Sequence, residues 1–348
     1  MNAPNSIKPW AVFALVCTSV FLTSLDATVL FVAFQAMCKS FPTVSPAQLS
    51  WVLNAYTIVY AALLVPAGRL ADLYGRKRLF LIGVTLFTLG SACCGIAPSA
   101  YSLIAMRIVQ AIGAALLTPA SLALILANFP KEKQAIVVSL WGAVAALAAA
   151  AGPSLGALII ETWGWQWAFF INVPVGLFSL VRGMRMLQES KSAENAAPPD
   201  ILGIVLLIAG VGALALAIVQ SDAWGWTDRR TAAAIGAGIV ALVAFFVWAP
   251  RVAAPALDIT LFRDPNYLFA NIVTLIFGIA FTTMFFSFFF FMTQVWGYSL
   301  LRAGFAVTPG PLLVIPVAIV SGRYAAKNGH RPVLVLGGLI YALGSLWF

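Results

Sequence analysis

The sequence predicts an all-α membrane protein whose chain crosses a bilayer about eleven times. Three observations predict it. First, 62% of the 348 residues are hydrophobic and only 9% are charged, against roughly 45–50% and about 25% in ordinary soluble domains. A soluble fold this apolar would have almost no polar surface to offer water. Second, runs such as ILGIVLLIAGVGALALAIV at 201–219 are continuous rather than alternating. In lipid every backbone polar group must be paired internally, which leaves helices or closed barrels, and barrel strands alternate with period 2. Third, lysine and arginine are distributed unevenly across the predicted loops.

A helical crossing needs about 20 mostly apolar residues. Such runs lie near 10–34, 48–69, 79–97, 99–128, 136–160, 166–187, 200–220, 231–250, 267–295, 303–322 and 332–348. The first follows Lys8, starts at Trp10 and continues to about Phe34 with no A-x-A site, so it reads as a spanning helix and not a cleaved leader. With the N-terminus in the cytoplasm, 15 of the 20 Lys and Arg residues fall inside and 4 outside, with Arg107 within a span. The positive-inside rule selects that orientation. The net charge is +9, yet the basic residues are scattered over short loops, which argues against a nucleic-acid partner. Cys17, Cys38, Cys93 and Cys94 have no metal-ligand spacing and read as free thiols.

GRLADLYGRKR at 68–78 places five charges in the tight turn between the second and third spans. It has an echo, GRYAAKNGHRP at 322–332, between the tenth and eleventh. Transporter folds are often built from such repeats. The repeat divides the chain into a six-helix bundle (1–188), a polar linker (189–199), two inserted helices (200–263) and three helices of a second bundle (264–348). A second half matching the first requires about three further helices beyond Phe348, on the order of 80–100 residues, so about 11 of an expected 14 are present.

The motifs carry a resemblance. GRLADLYGRKR resembles the signature loop of the major facilitator superfamily. LDATVLFVAF (25–34) is similar to the first-helix motif of its 14-helix drug/proton antiporter branch, and RIVQAIGAALLTPA (107–120) to the fourth-helix motif. AAAAGPSLGALI (148–159) resembles the fifth-helix antiporter motif, and WGWQWAFFINVP (163–174) and LFRDPNYLFAN (261–271) continue the pattern. The resemblance implies the major facilitator fold and secondary active transport, with proton-coupled efflux of small organic molecules or drugs across a bacterial inner membrane. An incomplete second bundle carries the alternative of an inactive truncated remnant, or a fragment of such a transporter. Whether an adaptor protein cooperates is not legible.

Asp26 and Arg107 are the ionisable residues well inside spans, a functional signature by default. Each lies about eight residues from the outer end of its span, so at about 1.5 Å per residue both sit roughly 12 Å below the outer surface. They can pair if the first and fourth helices face one cavity, as the resemblance implies. Burial penalises the carboxylate's charge and the guanidinium favours it, which suits a proton carrier; a permanent ion pair that locks the packing of the first half is the alternative. Gly68, Asp72, Gly75 and Arg76 form the candidate cytoplasmic gate implied by the signature loop. Gly152, Pro153 and Gly156 form the candidate antiporter hinge, where small residues let the fifth helix approach the other half and Pro153 bends it. Asn54, Tyr56, Gln110 and Phe281 are the substrate-cavity candidates, Phe281 in an aromatic stripe with Phe277, Phe285 and Phe286.

Other chemistries find no support. GPSLG matches a nucleophile elbow, but that needs a strand–turn–helix and a histidine partner; this one lies mid-span, and His330, the single histidine, lies in a loop. There is no G-x-x-x-x-G-K-S/T loop for ATP. No cofactor and no enzymatic activity are expected.

Overall fold

The computed structural model describes residues 9–191, 200–253, 255–307 and 309–347. Lys8, residues 192–199 of the predicted linker, the Phe286 side chain and Phe348 lie outside the described residues. Every regular element among the described residues is helical. The first six spans comprise α1 (Pro9–Ser40), α2 (Pro46–Leu49) with α3 (Trp51–Tyr74), α4 (Arg76–Gly95), α5 (Ala100–Asn128), α6 (Lys131–Trp163), and α7 (Trp167–Phe170) with α8 (Asn172–Met186). The inserted pair is α9 (Ile201–Trp224) and α10 (Arg229–Trp248). Then come α11 (Pro265–Gln294), α12 (Leu300–Val307), α13 (Pro309–Asn328) and α14 (Arg331–Trp347). Among the described residues, ten stretches are long and apolar enough to cross a membrane. The eleventh predicted span is α14, apolar and 17 residues long, at the short end of what crosses.

Local chemistry sets the helix ends. Ser45 caps α2 through the backbone N–H of Gln48 at 3.2 Å, and Ser99 caps α5 through that of Ser102 at 3.2 Å. Asp200 and Asp264 accept from backbone N–H groups at the starts of α9 and α11. Gly75 ends α3 with a φ of 113°, a conformation open to glycine but strained for residues with a Cβ.

Lipid tails are as apolar as leucine, so spans associate by close packing of small residues rather than by hydrophobic exclusion. The seams follow this rule. Between α4 and α5, a Cβ on Gly83 would lie 2.8 Å from the Gly113 carbonyl oxygen, and one on Gly113 would collide with the Phe87 backbone. A Cβ on Gly90 would lie 3.0 Å from Gln110. Gly152 of α6 faces Thr28 of α1, and Gly176 of α8 faces Thr88 of α4. Polar handles add to the packing: Trp165 Nε1 donates to Ser40 Oγ at the end of α1 at 2.9 Å, and Trp141 Nε1 of α6 to Ser121 Oγ of α5 at 3.1 Å.

The inserted α9 lies against α3, with Gly212 facing Ala62. The later helices meet the first six mainly through α6, on which α12 and α13 pack. Gly304 sits on Ser154 and Gly322 on Ile136. Most of α11 and α14 is exposed.

Gly113→Val is expected to destabilise the fold by about 1–3 kcal/mol, the usual effect of overpacking a tight seam. Gly142→Ala, where a Cβ meets nothing within 4 Å, should change stability by less than about 1 kcal/mol. Thermal unfolding of both purified variants in detergent checks the pair.

Candidate functional site

Four spans converge on one carboxylate. Asp26 and Arg107 are each 1% exposed. Arg107 Nη1 donates to Asp26 Oδ2 at 2.6 Å and to Gln110 Oε1 at 2.5 Å. Its Nε donates to the Val52 carbonyl at 3.0 Å, and its guanidinium lies 4.0 Å above the Tyr56 ring. Asp26 Oδ1 accepts from Gln110 Nε2 at 2.9 Å and from Asn172 Nδ2 at 3.0 Å. Both amides also donate to Ser91 Oγ, at 2.7 and 3.0 Å. Opposite charges so buried persist only when paired and hydrogen-bonded on every side, and this pair is.

The helices deliver these groups for reasons visible in the seams. Gly90 lets α4 approach α5 at Gln110, which brings Ser91 to the amide. Gly176 lets α8 approach α4 at Thr88, which brings Asn172 to the same place. The residues predicted to share a depth, Asp26 and Arg107, are in contact.

A cavity of about 320 Å³ opens beside the pair, lined by Thr23, Ser24, Phe31, Tyr56, Thr57 and Tyr60, with Arg107 on its wall. Tyr56 and Tyr60 are stacked, with centroids 6.0 Å apart and planes 6° from parallel. Tyr60 Oη donates to Thr118 Oγ1 at 3.3 Å. The wall is thus aromatic with hydroxyl groups, and the charge behind it is internally balanced.

Of the four predicted cavity residues, only Tyr56 lines this space. Asn54 turns to its own helix start, donating to Ser50 Oγ at 3.2 Å. Gln110 is fully buried behind the wall as a ligand of the ion pair. Phe281 is 44% exposed on α11, stacked between Phe277 and Phe285. The expected face of the fifth-helix motif is also corrected. Gly152 and Gly156 approach Thr28 and Val29 of α1, within the first six spans, and Ser154 is the residue that meets the later helices, at Gly304. Helix α6 runs through Pro153 without interruption.

In the signature loop, Asp72 accepts from Arg76 Nη2 at 2.9 Å and Nε at 3.1 Å. Gly68 packs on Pro119. Gly75 has a further partner that the sequence reading missed. The Glu189 carboxylate accepts from the backbone N–H groups of Lys77 and Arg78, each at 3.1 Å. It therefore sits on the N-terminus of α4, where the helix dipole favours an anion. A Cβ on Gly75 would lie 2.5 Å from that carboxylate. The start of the predicted linker is thus a docked cap. Asn172 and Ser91 were also missed. Their sequence signal is a polar residue in an apolar span, too common to single them out.

Replacing Arg107 by leucine leaves a buried carboxylate without its cation. A loss of about 3–5 kcal/mol is expected, with partial recovery when Asp26→Asn is added, both read from thermal unfolding. Glu189→Ala should cost about 0.5–1 kcal/mol, as loss of an exposed helix-terminal anion does. Gly75→Ala should cost more than about 1 kcal/mol because its φ is positive.

The family described as Major Facilitator Superfamily matches residues 16–348. The chain is 31% identical to the tetracenomycin C resistance and export protein of Streptomyces glaucescens, over 98% of this chain and 63% of that protein. It is 36% identical to the multidrug resistance protein Stp of Mycobacterium tuberculosis, over 94% of this chain and 61% of that one. It is 30% identical to the methylenomycin A resistance protein of Streptomyces coelicolor, over 99% and 71%. The chain therefore spans about three-fifths to seven-tenths of the length of these curated relatives. Among solved structures, a peptide transporter POT in complex with sulfate shares the fold, with a TM-score of 0.59 at 16% identity, covering 93% of this chain and 69% of that one. With the match running over nearly every span, the chain belongs to the Major Facilitator Superfamily, a family of membrane transporters and not of enzymes.

Proposed function

We propose that the protein is a secondary active transporter that exports small organic molecules in exchange for protons, with Asp26 as the proton carrier and Arg107 as its counter-ion. The observation that carries this reading is the Asp26–Arg107 pair, 2.6 Å apart and 1% exposed, directly behind an aromatic cavity of about 320 Å³. A carboxylate at that place loses its ionic partner when protonated, so its protonation alters the wall that a cargo touches. The names of relatives as resistance and export proteins support efflux by an active protein over a remnant. The stacked Tyr56 and Tyr60 offer a flat face suited to lipophilic or aromatic cargo.

The rest of the cycle follows the same reading. The chain sits in a bacterial inner membrane with its N-terminus in the cytoplasm, as the lysine and arginine distribution favours. Residues 1–188, 200–263 and 264–348 are the first bundle, the inserted pair and part of the second bundle of a 14-helix transporter. Gly68, Asp72, Gly75 and Arg76 gate the cytoplasmic side. The Gly152–Gly156 stretch is the hinge, gripping α1 on one face and meeting Gly304 on the other.

The test uses everted membrane vesicles carrying the native gene product, with an imposed pH gradient and ethidium as the fluorescent cargo. Asp26→Asn, close in shape to the native side chain, is expected to reduce gradient-driven accumulation to the level of vesicles without the protein, while its level in the membrane stays the same. Unchanged accumulation in that variant would sink the proton-carrier role.

A further inference from the structure

Asn172, the first residue of α8, is 0% exposed. Its amide and that of Gln110 do the same thing at one end: each bridges Asp26 Oδ1 and Ser91 Oγ. They differ at the other end. Gln110 Oε1 receives Arg107 Nη1, whereas Asn172 Oδ1 is buried and receives no hydrogen bond. A buried acceptor without a donor is destabilising and uncommon. It lies on the side chain that touches the one carboxylate inside the cluster.

The donors around Asp26 fit a single protonation state. Arg107, Gln110 and Asn172 all donate to its two oxygens, and an ionised carboxylate only accepts. A protonated carboxyl needs an acceptor for its new O–H. The Gln110 carbonyl is held by Arg107, so turning that amide would break a charge-assisted bond. The Asn172 carbonyl is held by nothing in the cluster. A half-turn about its Cβ–Cγ bond exchanges its oxygen and nitrogen. The oxygen then faces Asp26 Oδ1 and the Ser91 hydroxyl, which can rotate to donate. In the orientation seen, the oxygen end of the Asn172 amide is unpaired, so that orientation is not locked and the proton on Asp26 decides between the two.

We propose that Asn172 is the positioning residue for the transported proton: its amide donates to ionised Asp26 and, inverted, accepts from protonated Asp26. This rests on the reading of Asp26 as proton carrier. The other charged or titratable groups facing Asp26 are Arg107 from α5, Tyr56 from α3 and Cys94 from α4. Helices α2 and α7 carry no charged residue, and those of α6 and α8 lie toward the helix ends: Lys131, Glu132, Lys133 and Glu161, and Arg182 and Arg185. No second carboxylate competes for the role.

The experiment is an infrared titration of the purified native gene product in lipid. It follows the protonated-carboxyl band, with Asp26→Asn as the subtraction reference, and is repeated with isotope-labelled asparagine. The wild type should show a carboxyl band that titrates together with an asparagine carbonyl shift. Asn172→Leu removes the donor to the ionised form, so the titration midpoint should rise by roughly one to two pH units, the effect of one hydrogen bond to a charged group. The asparagine signal should vanish. Asn172→Ser keeps a hydroxyl donor and should bring the midpoint most of the way back. If no carboxyl band assignable to Asp26 titrates at any pH, the proton-carrier reading fails. If the band titrates in the wild type without an asparagine shift, or with the same midpoint in both Asn172 variants, the Asn172 proposal fails and the carrier reading stands. The asparagine signal should vanish in Asn172→Ser as well, so the assignment does not depend on the leucine variant folding.

Discussion

An ion pair deep in a lipid-embedded bundle dictates much of the architecture around it. Asp26 and Arg107 are almost wholly buried, so the protein must supply their partners. It does so from α3, α4, α5 and α8 at once: a carbonyl from Val52, a hydroxyl from Ser91, amides from Gln110 and Asn172, and a ring face from Tyr56. Side chains this short can meet only if the helix backbones are close. That explains why the seams beside the cluster are built on Gly90 and Gly176. The glycines do not merely permit tight packing. They set the distances at which the polar cluster is complete.

The same helix joins this cluster to the charged loop. Helix α3 presents the Val52 carbonyl and Tyr56 near one end and Asp72 near the other, about 30 Å apart at the usual helical rise. At the loop, the chain leaving α8 returns through Glu189 to cap the start of α4. Lys77 Nζ adds a bond to the Met184 carbonyl at 2.9 Å. The third span therefore begins against the end of the sixth, and Gly75 is the residue small enough to leave room for the carboxylate. A cluster at one level and a clasp at another tie five of the first six spans to one another, and α6 joins them by packing on α1.

Helix α6 has two working faces. One, with Gly152 and Gly156, is packed on α1; the other meets α12 and α13 through Ser154, Ile136 and Ser139. This gives the fifth-helix motif a structural reading different from a simple seam between halves. The small residues fasten the helix to the span that carries Asp26, and the later helices rest on its back.

The order of the spans and, to within one short helix, their number were legible in the sequence because apolar length is decided locally, whereas helices such as α1 and α3 run about five residues beyond their apolar cores, to Ser40 and Tyr74. About 20 apolar residues must cross, and serine, aspartate, glycine and charged clusters must end them. The membership of Asp26 and Arg107 in a polar centre was legible for the same reason, since an ionisable residue in a span has few other places to go. The family was legible in motifs whose order along the chain is itself sequence. The tertiary structure alone decided what those motifs touch. Gln110 became a ligand of the ion pair instead of a cavity wall, Asn54 a local helix-start bond, and Phe281 part of an exposed stack, because helix rotation about its axis is set by neighbours and leaves no trace in an evenly apolar span. Asn172, Ser91 and Glu189 were invisible for the complementary reason. Each is ordinary in its own segment and acquires its role only where helices far apart in the chain bring a carboxylate, or a row of unpaired backbone N–H groups, within about 3 Å.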